Sequence, residues 1–146
     1  MSKALFANQR ETNLASTVAL VEEVLAARGG ASRHDDPAAL HTWRLAKDAR
    51  VSLIHRSEFT HIRVQTVVMT LDGKVDRSAL FAELLDHNAH LCGAAFATDG
   101  DRVLIVTERS TLDLDRSEVT EMIARVLDSA SHHAPVLVSR YGGSAD

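Results

Sequence analysis

The order in which the hydrophobic period changes along this chain constrains its fold more than any other feature. Apolar residues recur at helical spacing, then three times at alternate positions, then again as helix, two strands and helix. The predicted elements are a helix at about Thr12–Arg28, strands at His41–Lys47, Val51–Arg56 and His61–Leu71, a helix at about Arg77–Leu91, strands at Ala94–Thr98 and Arg102–Glu108, and a helix at about Arg116–His133. This α-β-β-β-α-β-β-α order predicts an α+β fold. The links between the three middle strands have hairpin length, so these strands are expected to form an antiparallel meander.

Capping and turn residues support these boundaries. Gly29-Gly30 is expected to end the first helix, and Thr12 or Asn13 to cap its start. Asp76 is placed to cap the second helix, and Asp115 with Glu118 resembles a capping box at the third. Each predicted helix therefore has a chemical reason to begin or end where the period changes.

Four segments between or after these elements carry further signals. The polar stretch Ala31–Ala39 is interpreted as a loop. The alternation slips at Thr66-Val67-Val68, which indicates either a bulge or burial of both faces near the strand end. Pro135 is expected to stop the third helix, with Val136–Val138 as a short final strand. Residues Gly142–Asp146 are expected to form a flexible tail on a single domain spanning residues 1–146.

Composition narrows the function classes. The 146 residues are 45% hydrophobic and 25% charged, with a formal net charge of −4 and no basic run. Direct nucleic-acid binding is therefore not expected, since it needs clustered Lys and Arg. A lone cysteine, Cys92, excludes an intrachain disulfide and fits a reducing compartment. No apolar run has the length of a signal peptide or a membrane span, which predicts a soluble cytoplasmic protein.

The reactive side chains form no recognisable catalytic or metal motif. His87, His90 and Cys92 lie within six residues of one another, and His132-His133 could complete a ligand set. Paired Cys spacing is missing, and exposed histidines beside a small apolar cysteine explain the same pattern. There is no Gly-x-Ser-x-Gly elbow and no glycine-rich phosphate loop. We therefore predict no catalytic, cofactor-binding or metal-binding residues, and no cofactor.

The second helix is apolar over more than half its circumference. Leu80 and Leu84 point in one direction, and Phe81 and Leu85 in an adjoining one. One sheet contact needs a narrower stripe than this. A second copy of the chain is the simplest partner for the remainder, which predicts a homodimer.

The stretch from Leu80 to Val138 resembles the YbjN-type domain, which is related in fold to the small dimeric chaperones of type III secretion. The resemblance is carried by Leu84-Leu85 followed by Asn88, the strand Ala94-Ala95-Phe96, the hairpin at Asp99-Gly100, the strand Val103–Thr107, and Leu112-Asp113-Leu114 before Asp115. It implies about five antiparallel strands flanked by helices, a dimer, and binding of client proteins in apolar grooves. The polar link Ala31–Ala39 and the modest acidity depart from the secretion chaperones, which favours a housekeeping or stress-linked adaptor or regulator.

These observations lead to the hypothesis of a non-catalytic dimeric module that holds a client protein. The predicted dimer interface comprises Leu80, Phe81, Leu84, Leu85 and Asn88. The predicted client groove comprises Leu14, Val18, Val21, Leu25 and Trp43. One alternative is an accessory or regulatory factor in a nucleic-acid or stress-response pathway that acts through a nucleic-acid-binding protein. Direct contact with nucleic acid, which the net charge disfavours, would use a cluster of Arg44, Arg50, Arg56 and Arg63 across the meander. The other alternative is a metal or ligand sensor built on Cys92 and the nearby histidines.

Overall fold

Three helices and six strands make up the fold. The structure is a computed structural model that describes residues 2–46 and 48–145, with side chains described for residues 13–46 and 48–145. The elements are α1 (Ser2–Arg28), β1 (Ser32–His34), β2 (His41–Arg44), β3 (Arg50–Arg56), β4 (Phe59–Thr70), α2 (Arg77–Asn88), β5 (Ala95–Asp99), β6 (Arg102–Ser110) and α3 (Arg116–Tyr141). The strands form one antiparallel sheet in the order β1-β2-β3-β4-β6-β5. This confirms the α+β fold, with six strands where about five were expected.

The additional strand, β1, lies in the segment that was predicted to be a loop. It pairs with β2 in the register Arg33↔Trp43. The Arg33 guanidinium lies 4.7 Å from the centre of the Trp43 ring, and its Nε donates to Glu22 Oε1 on α1 at 3.0 Å. A polar segment of three residues shows no apolar alternation from which a strand could be predicted. Contacts with residues distant in the sequence stabilise β1 instead.

The first helix begins ten residues before its predicted start, at Ser2 instead of Thr12. Thr12 and Asn13 therefore lie inside α1 and do not cap it. The preceding residues include Lys, Ala, Leu, Gln and Arg, which favour helix without showing a clear apolar stripe. The predicted stop is confirmed, because Gly29 adopts a φ of +80°, which an L-residue rarely tolerates.

The third helix continues through Pro135 to Tyr141. The predictions of a stop at Pro135 and of a strand at Val136–Val138 were therefore wrong. A proline inside a helix costs about 3 kcal/mol. Past Pro135, Leu137 is only 1% exposed and Tyr141 packs against the core, so apolar burial offsets this cost.

The tail that was expected to be flexible makes backbone contacts with β4. Thr70 N donates to Ser144 O at 2.8 Å, and Ser144 N donates to Thr70 O at 3.0 Å. Gly143 permits this approach with a φ of +75°, where a Cβ atom would lie 2.5 Å from Thr70 O. The last residue of the predicted tail, Asp146, lies outside the described residues.

The predicted N-terminal caps of α2 and α3 are confirmed. Asp76 Oδ1 accepts from Ala79 N at 3.1 Å, and Asp115 forms a capping box with Glu118. Of the two explanations for the slip in alternation at Thr66-Val67-Val68, the bulge agrees with a register shift between Val67 and Met69. The second helix ends at Asn88, three residues earlier than predicted. β2 ends at Arg44, and Lys47, its predicted end, lies outside the described residues.

The sheet has two unlike faces. The inner face carries the core, and α3 lies against β4 and β6 there while α1 contacts α3. Six of its residues are at most 1% exposed: Val51, Leu53, Ile62, Val64, Val103 and Ile105. The alternate residues of the same strands form the outer face, and most of them are half-exposed. Within the described residues, no helix combines the length and the apolar composition that crossing a membrane requires.

Candidate functional site

The outer face carries a row of side chains that crosses all six strands. Strand registers place these residues directly opposite one another in the order Ser32, Arg44, Arg50, Gln65, Val106 and Ala95. Directly opposite residues in antiparallel strands project from the same face with Cβ atoms about 5 Å apart. The row therefore runs from a polar, cationic end over β1–β3 to an apolar end over β6 and β5.

Two arginines lie side by side at the cationic end of this row. Arg44 of β2 is opposite Arg50 of β3, and Arg44 is exposed. Like charges at directly opposite positions destabilise a sheet. Among the described side chains, neither guanidinium forms an ion pair with a carboxylate. This end of the outer face thus keeps uncompensated positive charge.

Beside this row on the outer face, one carboxylate, Glu108 of β6, binds several basic side chains. Arg56 donates to it through Nε at 2.9 Å and Nη2 at 2.8 Å, and Arg63 Nη1 donates at 3.2 Å. His61 Nδ1 lies 3.0 Å from Glu108 Oε2. The hydrogen bond from Arg56, against the opposing effect of burial, lowers the pKa of Glu108 to about 2. Glu108 is therefore ionised at neutral pH and shared between two arginines.

The other end of the outer face is apolar. Val67 of β4, Leu104 and Val106 of β6, and Ala95 and Ala97 of β5 project from it. Leu104 is buried, and the other four are half-exposed. With the cationic end, these residues make a surface that is positively charged on one side and apolar on the other.

A separate cleft of about 820 Å³ lies at the C-terminal end of α1. It is bounded by the end of α1 at Arg28, the segment after β2 at Leu45, β4 at Val68, and α3 at Leu127 and Pro135. Its lining includes the buried side chains of Leu45 and Val68 and the opposite charges of Arg28 and Asp128.

The two edges of the sheet differ in how their backbone groups are satisfied. On β5, Phe96 N donates to Asn88 Oδ1 at 2.7 Å, and Asn88 Nδ2 donates to Phe96 O at 3.2 Å. This side chain occupies one outward-facing pair of backbone groups. On the opposite edge, β1 is only three residues long. Capping and short length both limit unwanted strand pairing.

The structure does not bring the predicted client groove together as an open surface. Val21, Leu25 and Trp43 are at most 3% exposed and belong to the core. Leu14 and Val18 are half-buried against that core. The apolar stripe of α1 is thus largely buried in the chain's own core, and of the predicted groove residues only Leu14 and Val18 remain partly accessible.

The predicted dimer-interface residues are divided between the core and the surface. Leu80 and Leu84 are 0% and 4% exposed within the chain, and Asn88 is engaged by Phe96. Phe81 is half-buried, whereas Leu85 is 70% exposed. The side of α2 that carries Phe81 and Leu85 therefore remains accessible, whereas the side that carries Leu80 and Leu84 packs in the chain's own core.

The histidines of the metal hypothesis take part in ring packing. His87 of α2 and His133 of α3 have ring centres 4.9 Å apart, and Phe96 lies 5.2 Å from His133. Burial, followed by the charges of His87 and His132, lowers the pKa of His133. His90 and Cys92 are exposed. Within the described residues, no three His, Cys, Asp or Glu side chains are arranged to hold a metal ion.

Comparison with protein families identifies the fold as that of a known group. Residues 15–146 match the family described as T3SS (YopN, CesT) and YbjN peptide-binding chaperone 1. The chain belongs to this family. This confirms the resemblance inferred from the sequence. A comparison with curated protein sequences finds no match.

Solved structures show the same fold. The chain is similar to one in the ExsC–ExsE complex, with a TM-score of 0.64, 16% identity, and coverage of 84% of this chain and 94% of that one. It is similar to one in the structure of the Yersinia pestis type III secretion chaperone SycH in complex with a stable fragment of YscM2, with a TM-score of 0.53, 19% identity and coverage of 78% and 96%. A protein from Methanothermobacter thermautotrophicus gives a TM-score of 0.59 at 13% identity, with coverage of 84% and 97%. At these identities the likeness extends to the fold alone.

Proposed function

We propose that this chain is a non-catalytic chaperone-like module that holds a segment of a client protein. The observation that supports it most is the match of residues 15–146 to a family of peptide-binding chaperones. The related folds include the secretion chaperone SycH in complex with a fragment of YscM2. We further propose that it works in the cytoplasm, because the exposed thiol of Cys92 suits a reducing compartment.

Binding without turnover agrees with the chemistry of the accessible surfaces. The cleft beside α1 and α3 combines buried apolar side chains with charged ones, and the half-exposed flanks of Leu14 and Val18 lie on α1. A client segment would bury apolar side chains there at about 25 cal/mol per Å². We therefore place part of the client groove along α1 and in this cleft, instead of at the buried Val21, Leu25 and Trp43.

We also propose a homodimer that uses the exposed direction of α2. Leu85 is the large apolar residue that α2 exposes most, at 70%, and the half-buried Phe81 lies one helical turn before it. Pairing this surface with its own copy would remove both side chains from water. Two client sites in one particle would also raise avidity for clients with two binding segments.

The dimer is tested by measuring mass with light scattering at tens of micromolar protein. Leu85→Glu should convert the dimer to a monomer, because it would place an unpaired charge in the interface. Leu112→Glu is the matched control, since Leu112 is equally exposed at 70% but lies outside α2. A monomeric wild-type protein, or a Leu85→Glu variant that remains a dimer, would remove α2 from the proposal.

Client binding is tested with a random peptide library displayed on phage and selected against the immobilised protein. Selected peptides are then labelled with fluorescein and titrated by fluorescence polarisation. We expect micromolar dissociation constants, and mass spectrometry should recover each peptide intact after prolonged incubation. Absence of any peptide bound above an albumin control would contradict the binding function, and chemical change in the peptide would contradict the absence of turnover.

The outer-face arginines weigh against the alternative of docking to a nucleic-acid-binding protein. Arg44, Arg50, Arg56 and Arg63 share one face of the sheet, as the registers require. A nucleic-acid-binding partner normally presents a basic surface itself. Two basic surfaces repel one another, so this face suits a partner of the opposite charge.

A further inference from the structure

We propose that the outer face of the sheet binds an extended acidic segment of the client, which lies across the strands along the row from Ser32 to Ala95. This inference rests on the proposed function and names the chemistry of the client. Its acidic residues would lie over Arg44 and Arg50, and its apolar residues over Val106 and Ala95. The open sheet face would thus distinguish clients by charge as well as by apolar content.

The charge at the cationic end supports an anionic occupant. The outer face carries four arginines over β2–β4, and the one carboxylate among them, Glu108, is shared by Arg56 and Arg63. Arg44 and Arg50 stand directly opposite each other with no described carboxylate as an ion-pair partner. A carboxylate placed between them would relieve their repulsion and accept charge-assisted hydrogen bonds from both.

The dimensions of the face match a short extended peptide. Strands in a sheet are about 4.8 Å apart, so the row across six strands spans about 24 Å. An extended chain advances about 3.3 Å per residue, so about eight residues would cover the row. The side chains of such a segment alternate between the sheet and solvent. Acidic residues followed by small or branched apolar residues at alternate positions would therefore match the row from β2 to β5.

A peptide fits this surface better than a nucleic acid. The row becomes apolar at Val106 and Ala95, where a phosphate backbone would find no cation. Phe59 is the only Phe, Tyr or Trp that the described strands project from this face, and it lies at its corner beside the β3–β4 turn, away from the row. Single-strand binding needs several stacking platforms along a basic groove. Apolar contacts beside paired arginines are instead what an amphipathic acidic segment requires.

The test is a fluorescence-polarisation titration with a defined probe. The probe is a fluorescein-labelled peptide of about eight residues with Glu at its first alternate positions, Val at its later ones and Ser between them. We expect it to bind the wild-type protein, with affinity that falls as salt is raised. The Arg44→Ser/Arg50→Ser variant should bind it at least about tenfold more weakly. A peptide with Lys in place of Glu should bind the wild-type protein at least about tenfold more weakly as well.

The control variant is Arg116→Ser/Arg125→Ser, which makes the same change in net charge on α3. Both residues are exposed or half-exposed and form surface ion pairs, so little stability should be lost. Circular dichroism confirms that each variant is folded. We expect the control to change the affinity for the acidic peptide by less than about twofold. An equal loss in the control would reduce the effect to net charge and overturn the proposal.

Three further outcomes would also overturn this inference. A single-stranded oligonucleotide of equal charge that binds more tightly than the peptide, and loses binding in Arg44→Ser/Arg50→Ser, would make nucleic acid the occupant. If library-selected peptides bind both the wild type and this variant equally while the acidic peptide does not bind, the acidic specificity fails and the proposed function stands. If neither kind of peptide binds, both fail together.

Discussion

The two faces of this sheet are built from alternate residues of the same strands, yet one is buried in the core and the other is largely open to solvent. On β3, Val51 and Leu53 are fully buried on the inner face, whereas Arg50, Ser52 and Ile54 project half-exposed from the outer face. On β4 the same alternation places Ile62 and Val64 inside and Arg63 and Gln65 outside. A single period of two therefore separates a packed core from an open surface.

This difference shows which residues folding alone can explain. Burial accounts for the inner face, because every apolar side chain removed from water there contributes to stability. It does not account for Arg44 opposite Arg50, an arrangement that costs stability in the isolated chain. Residues that a fold carries at a cost are candidates for function. The outer face is therefore the better place to look for client recognition.

The largest expected effect compares neighbours on β3. Leu53→Ala should lower the free energy of unfolding by about 3 kcal/mol, because it leaves a cavity in the core. Ile54→Ala on the outer face should cost about 1 kcal/mol, since its side chain is already half in water. Chemical denaturation followed by the fluorescence of Trp43, which is the only tryptophan and is buried, measures both. Equal losses would mean that the outer face is also covered.

The next effect concerns the one polar network of the outer face. Glu108→Gln should lower the free energy of unfolding at neutral pH by roughly 1–2 kcal/mol, because Arg56 and Arg63 lose a shared charged acceptor. Folding lowers the pKa of Glu108 from 4.5 to about 2, so its contribution is present above pH 4.5 and is lost as the pH falls towards 2. The variant should therefore lose less stability than the wild type over this interval.

The control for this effect is Glu121→Gln, which removes an exposed ion pair with Arg125 on α3. Such helical pairs contribute about 0.3–0.5 kcal/mol. Urea denaturation repeated across the acidic range measures both variants. A wild-type stability that falls no more steeply than that of Glu108→Gln between pH 4.5 and 2 would show that the network does not hold Glu108 ionised.

Local patterns predicted the elements, and tertiary contacts decided where the predictions failed. Period, caps and turns correctly predicted the five strands between His41 and Glu108, the caps Asp76 and Asp115, and the Asp99-Gly100 hairpin, although not their exact ends. The missing strand β1 depends on Arg33 meeting Glu22 and Trp43, residues that only the fold brings together. The extension of α3 past Pro135 depends on the burial of Leu137. Neither contact leaves a mark in local sequence.

The candidate site was harder to predict than the fold for the same reason. The apolar stripes of α1 and α2 were interpreted as binding surfaces, but a stripe looks the same whether it covers its own sheet or a partner. Leu25 of α1 and Leu84 of α2 are examples, since both are buried inside the chain. The outer row from Ser32 to Ala95 exists only once five strand registers are known. The sequence feature that points to this row is the recurrence of arginines along the three strands of the meander.

A smaller effect on stability is expected at the β5 edge of the sheet. Asn88→Ala should lower the free energy of unfolding by about 1 kcal/mol, because Phe96 loses a partner for both its N–H and its C=O. His90→Ala, an exposed change two residues along, is the control and should have little effect. Amide hydrogen exchange at Phe96 should accelerate in Asn88→Ala. Unchanged exchange there would mean that the edge of β5 is protected by something other than Asn88.

The smallest expected effect has the opposite sign and tests the outer face most directly. Arg44→Glu replaces a like-charged pair with an ion pair across β2 and β3, and should raise the free energy of unfolding by roughly 0.5 kcal/mol. Arg44→Gln removes only the repulsion and should give a smaller gain, and both gains should shrink as salt screens the charges. The stabilised Arg44→Glu protein should nevertheless bind the acidic peptide more weakly. If it is instead destabilised, Arg44 supports the fold, and its position opposite Arg50 requires no ligand to explain it.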